Sequence, residues 1–140
     1  MMTNPGVTYV NPPSSTPPAG MYSHVARMAP GELAFIAGQV AVDRSGAFVG
    51  VGDLAAQVNQ VFANIGDILK DLGSGFDQVV QLTTYLTSAD SLPTFMSARA
   101  ALLPALYPAG KYPPNTLLII DRLVKPEFLI EIAAIARVPG

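Results

Sequence analysis

Apolar residues recur along the chain with two different periods, and the clearer of the two lies near its middle. Leu54, Val58, Val61, Phe62, Ile65, Ile68, Leu69 and Leu72 follow one another at steps that put them on one face of a helix. Asp53 stands where an N-cap is wanted. Gly73 follows where a helix commonly ends in a left-handed residue. At 1.5 Å per residue this helix is about 28 Å long. Val79 to Thr87 reads Val-Val-Gln-Leu-Thr-Thr-Tyr-Leu-Thr, and its β-branched and aromatic residues predict a strand. A second helix follows, capped by Asp90 or Ser91, with Pro93 near its first turn. Leu92, Phe95, Met96, Leu102, Leu103 and Leu106 supply its apolar face, and Pro104 is expected to bend or end it.

The remaining apolar runs are short and predict strands. Val7 to Val10 is one, within a Pro-rich arm over residues 1–20. Tyr22 to Met28 and Leu33 to Val42 look like a pair, with Pro30-Gly31 as the turn between them. Asp43 to Gly52, with three glycines, reads as a loop, and Tyr107 to Pro114 as another. Asn115 to Asp121 and Phe128 to Ala136 are the last two strands, joined through Arg122 to Glu127. Residues 21–140 thus form one domain without internal repeats. Its strands and two helices predict an α+β fold: a mixed sheet of about six strands with both helices on one face.

Alternation in the last two strands is not clean. Leu129, Glu131, Ala133 and Ile135 oppose Ile130, Ile132, Ala134 and Ala136, and both sets are largely apolar. A sheet with one wet face alternates apolar and polar residues. Both faces are therefore expected to be covered, one by the helices and the other by a second copy of the chain.

Composition narrows the function classes. The chain has 140 residues, half of them hydrophobic, enough for one core. It has no cysteine, which excludes disulfides, thiolate metal sites and a cysteine nucleophile. His24 is the sole histidine, so no histidine-based zinc cluster is available and a structural role suits it. No metal and no cofactor are expected. The formal net charge is −2, with Lys and Arg scattered rather than massed in a stripe, so nucleic acid is an unpromising partner. No apolar stretch reaches membrane-spanning length, and the start lacks a signal core. A cytoplasmic, soluble protein is the expectation.

Five stretches in order resemble the RidA/YjgF family, an imine deaminase family formerly labelled endoribonuclease L-PSP. They are Tyr22-Ser23-His24, Phe35 to Val40, Val79 to Thr87, Arg122-Leu123, and Ile130 to Ala136. The resemblance implies a chorismate-mutase-like fold in a homotrimer, with the sheets inside, the helices outside and ligand clefts between subunits. It implies hydrolysis of reactive 2-imino or enamine acids to 2-oxo acids and ammonia. In that reaction an arginine clamps the substrate carboxylate and a glutamate on the last strand positions the attacking water. By the same resemblance Glu131 is the catalytic candidate, and Asn115, Tyr22, Gly38, Gln39, Leu117 and Tyr107 are the substrate-binding candidates.

The chain departs from the pattern at one point. The text Tyr112-Pro113-Pro114-Asn115-Thr116 puts Asn115 where the family has its arginine. Asparagine has amide donors and one acceptor but no charge. Losing a charge-assisted pair weakens carboxylate binding by roughly tenfold to a few hundredfold. An ordinary 2-imino acid is thus a poor substrate for such a site, and a neutral or amide-like ligand suits it better. Glu131, among apolar neighbours, is suited to general acid or base chemistry, or to a partly wet pairing with Arg122 or Lys125. Asn115 equally suits a turn after two prolines, and Tyr107 the packing of a helix end. Three functions fit: a hydrolase of a C–N bond, a small-molecule-binding trimer without turnover, and a scaffold.

Overall fold

The computed structural model describes residues 6–140. The part of the Pro-rich arm formed by residues 1–5 lies outside the described residues. Strands β1 (Val7–Val10), β2 (Val25–Met28) and β3 (Glu32–Gln39) precede helix α1 (Leu54–Asp71). Strand β4 (Val79–Leu86), helix α2 (Leu92–Leu106) and strands β5 (Asn115–Ile119) and β6 (Ile130–Val138) complete the chain. The six strands and two helices are those expected of the α+β fold. Their hydrogen bonds divide into a four-stranded mixed sheet, ordered β3-β6-β4-β5, and a two-stranded antiparallel ladder of β1 with β2.

That division corrects one pairing. β2 and β3 do not form a hairpin across Pro30-Gly31: β2 pairs with β1 and β3 with β6. Arg137, near the end of β6, holds the connection by donating to the carbonyls of Ala29 and Pro30. It also donates to Gln78 Oε1. Strand ends shift too: β3 stops at Gln39, β5 stops at Ile119, and β6 runs on to Val138. Pro104 does not end α2, which continues to Leu106. A proline near a helix end forfeits one bond that little chain beyond it depends on.

The core lies between the helices and one face of the four-stranded sheet. Val58, Val61, Phe62, Ile65 and Leu69 of α1 are buried against Ile130, Ile132, Ala134 and Ala136 of β6. Asp53 caps α1 by accepting from the Ala56 N–H, and the chain turns at Gly73 with φ +70°. Gln57, on the buried face of α1, bridges to the connection before β6. Its Nε2 donates to the Gly50 and Glu127 carbonyls, and its Oε1 accepts from the Leu129 N–H. The opposite, open face carries Leu33, Phe35 and Leu118, all exposed, Phe35 at 74%. It is the apolar second face expected from the strand pattern.

Candidate functional site

The sheet register decides which candidates can meet. In β4, Leu82, Thr84 and Leu86 point to the helices, while Thr83 and Tyr85 point to the open face. Asn115 is the partner of Leu82, and Leu117 of Thr84. Both therefore project toward the helices. Glu131 is the partner of Tyr85, so it projects from the open face. Side chains three apart in a strand lie on opposite faces, and Leu82 and Tyr85 stand in that relation. Within one chain, Glu131 and Asn115 are separated by the sheet.

Glu131 is half-buried and lies against Gly38 of β3. A Cβ at Gly38 would stand 2.6 Å from the Glu131 carboxyl carbon, a separation real Cβ atoms do not show. Glycine is thus what lets the carboxylate lie down on the strand. Tyr85 flanks it across the ladder. Arg122 is turned elsewhere, donating to the carbonyls of Leu123 and Val124.

The other candidates are dispersed. Gln39 donates to the Ala37 carbonyl and borders a cleft of about 390 Å³ with Asp43, Asn64 and Asp67. Tyr22 accepts from the Ala19 N–H and stands edge-on to His24. With Tyr9, Asn11, Lys111 and Tyr112 it borders a second cleft, of about 460 Å³, beneath the arm. Tyr107 is buried at the end of α2 among the rings of Tyr9, Phe76 and Tyr112. Burial pushes the Tyr107 phenol far above its ordinary value, and that of Tyr9 likewise. The Tyr9 hydroxyl donates to the Val79 carbonyl at 2.6 Å.

On the helix side, the Thr84 hydroxyl donates to Asn115 Oδ1 at 2.8 Å. Both line a small cavity with Met21, Phe95 and Arg99. Arg99, absent from the candidates read in the sequence, is 6% exposed. Its guanidinium stacks on the Phe95 ring at 5.1 Å and donates from Nη2 to the Met96 sulfur. Desolvation pushes its pKa below the ordinary value. The sequence held a signal for it. Phe95, Arg99 and Leu103 fall at steps of four, so the arginine sits on the buried stripe of α2. Among the described residues no group of three or more His, Cys, Asp or Glu is placed to hold a metal ion. No described helix is long and apolar enough to cross a membrane.

A two-helix layer on a mixed sheet ordered β3-β6-β4-β5 defines the α+β architecture of Rid proteins, and comparison with known structures bears this out. The chain aligns with the crystal structure of a Yersinia pestis protein of unknown function of the conserved Rid protein family, YyfB, at a TM-score of 0.82 and 33% identity. That match covers 94% of this chain and 98% of the other. A putative endoribonuclease of Thermotoga maritima shares the fold, at a TM-score of 0.65 and 24% identity over 95% of this chain and 98% of that one. In sequence, a RutC family protein of Pyrococcus horikoshii is 33% identical over 119 residues, 85% of this chain and 88% of the relative. The family model described as endoribonuclease L-PSP matches residues 13–138. The chain belongs to this family, the RidA/YjgF or Rid family.

Proposed function

We propose that the protein binds a small, uncharged metabolite in clefts between copies of itself in a homotrimer, and hydrolyses a C–N bond of the imine or enamine type there. The observation that carries the reading is the Glu131 carboxylate, laid against Gly38 on the open apolar face beside Tyr85. With that face covered by a second copy, as this reading requires, the carboxylate takes a proton from water, the hydroxide adds to the imine carbon, and the adduct loses ammonia to leave the carbonyl. Within one chain Asn115 lies across the sheet from Glu131, so this reading takes it from a neighbouring copy; it adds no charge where the resemblance expects arginine, and the ordinary 2-imino acid is therefore not the favoured substrate. The acidic chain, with its scattered cations, gives RNA no basic stripe to bind.

The test is ammonia release from the imines of pyruvate and of pyruvamide, each generated in place. The uncharged pyruvamide imine is expected to turn over at least tenfold faster, and Glu131→Gln to abolish turnover of both. Turnover undiminished in Glu131→Gln would sink the catalytic assignment. A second reading, binding without turnover, draws on the dispersal of the candidates: of those named, only Gly38 meets Glu131 within one chain. It predicts ligand affinity that Glu131→Gln leaves largely intact and no ammonia from either imine.

A further inference from the structure

At the C-terminal end of α2, we propose a second ligand site: a cleft that takes a small organic ammonium ion on an apolar body, with Asp77 as the anion that holds the charge. The site is apart from the cleft proposed at Glu131 and does not rest on it.

The first observation is the cleft and its lining. The loop after α2, strand β1 and the short turn Phe76–Gln78 before β4 together border a cleft of about 380 Å³. Small-molecule sites run from roughly 300 to 1,000 Å³. Val7 and Tyr107 are its buried lining, and Leu106, Pro108 and Ala109 are further apolar walls. Walls of that kind favour a hydrocarbon body over water.

The second observation is where the charge lies. Tyr9 and Tyr107 both line the cleft, their ring centroids 6.1 Å apart and their planes at 70°, so the two rings meet edge-on and form a corner. Aromatic rings attract a cation to their faces. Asp77 borders the same cleft. Burial, and behind it the Asp77 charge, raises both phenols, so the carboxylate stands near both rings. Asp77 accepts from Gln78 Nε2 at 3.4 Å, a long and uncharged contact, and makes no ion pair among the described residues. An ammonium ion in this corner meets a carboxylate and two rings at once.

Lys111 is the group that opposes it. It is exposed, and it stands on the divide between this cleft and the one beneath the arm, lining both. Its long stem lets the charge lie on the far side of that divide. An anion entering here would have this mobile lysine as its attraction and would face the Asp77 carboxylate. The arrangement therefore selects for positive charge, and the lysine gives the selection a sign that a variant can read.

The probes are phenethylamine, its uncharged counterpart phenethyl alcohol and the anion phenylpropionate. Each is titrated into the whole, isotopically labelled chain at neutral pH and fixed ionic strength. Phenethylamine should shift the amide resonances of Val7, Thr8, Asp77 and Ala109 saturably and bind roughly three- to tenfold more tightly than the alcohol. Phenylpropionate should bind most weakly. Asp77→Asn keeps the size of an exposed side chain, so it should fold like the wild type. It should bring the amine down to the affinity of the alcohol and leave the alcohol unchanged. Lys111→Gln should tighten the amine roughly twofold and leave the alcohol unchanged. Glu131→Gln should titrate like the wild type. No shifts at these amides, alcohol or phenylpropionate bound as tightly as the amine, or an amine preference that survives in Asp77→Asn would each overturn the proposal. So would amine binding weakened in Lys111→Gln or lost in Glu131→Gln.

Discussion

Replacing Gln57 by leucine should destabilise the fold far more than the loss of one side-chain amide suggests. Gln57 is 1% exposed and bonds three backbone groups, with the Gly50 carbonyl at 3.0 Å, the Glu127 carbonyl at 2.9 Å and the Leu129 N–H at 2.9 Å. Leucine has nearly the same volume, so the cavity contribution is small. Each hydrogen bond contributes about 1 kcal/mol net, and a buried group left without a partner costs about 1–3 kcal/mol. Water reaches part of the connections that carry these backbone groups and compensates some of the loss. The expected cost is about 3 kcal/mol, against about 5–15 kcal/mol for a whole domain. For a chain of this size that lowers Tm by about 6–12 °C. In urea, with a slope of about 2 kcal/mol/M, the midpoint falls by about 1.5 M. Protein concentration must be held fixed, because the proposed assembly would contribute its own stabilisation. A loss below about 1 kcal/mol would refute the view that this glutamine ties α1 to the start of β6.

Gly38→Ala should leave stability within about 1 kcal/mol of the wild type, since the clash is with a side chain that can rotate and alanine restricts the unfolded chain. It should nonetheless impair ligand turnover or binding as severely as Glu131→Gln, and wild-type activity in it would detach Glu131 from function. Phe35→Lys puts a charge on the open face at the edge strand β3, so if that face joins copies of the chain, sedimentation velocity should show a smaller species than the wild type; an unchanged assembly would place the subunit contact elsewhere. Tyr9 and Tyr107 hold their protons more tightly when folded than when unfolded. Their contribution is complete below the unfolded tyrosine value of about 10 and is lost as pH rises above it, at up to about 1.4 kcal/mol per pH unit for each. Urea midpoints that stay flat between pH 9 and 11 would contradict that burial.

Long-period patterns are legible in the order of residues alone. Six of the eight apolar positions read for α1 are buried on it and Ile68 is half-buried, while Leu72 is the exposed C-cap; the Asp53 cap and the Gly73 turn fall where the spacing puts them. The apolar second face is legible too, because Leu118, Ala133 and Ile135 keep the last two strands from alternating cleanly; Leu33 and Phe35 of β3 extend it. Strand partners are not. Pro30-Gly31 is a sound local turn signal, yet β2 joins β1, and the clamp that holds the turn, Arg137, is more than a hundred residues distant. Local chemistry marks where a chain turns, not which strand waits on the other side. Arg99 escapes notice because the eye takes the apolar members of a stripe and skips the charge among them. A polar residue at a core position, as with Gln57 and Arg99, is itself the signal.

The separation of Glu131 from Asn115 follows from counting along one strand. Both are placed by β4, one through Tyr85 and the other through Leu82, and that odd interval sends them to opposite faces. Substituting the position of Asn115 therefore changes the chemistry under α2, beside Arg99, and leaves the surroundings of Glu131 on its own chain untouched. Asn115→Arg would place a second guanidinium at a cavity that already holds an unpaired one, so repulsion rather than repair is its first effect within the protomer. The asparagine and the buried arginine are better understood together: a neutral donor is what that cavity tolerates on β5 once α2 has brought the charge.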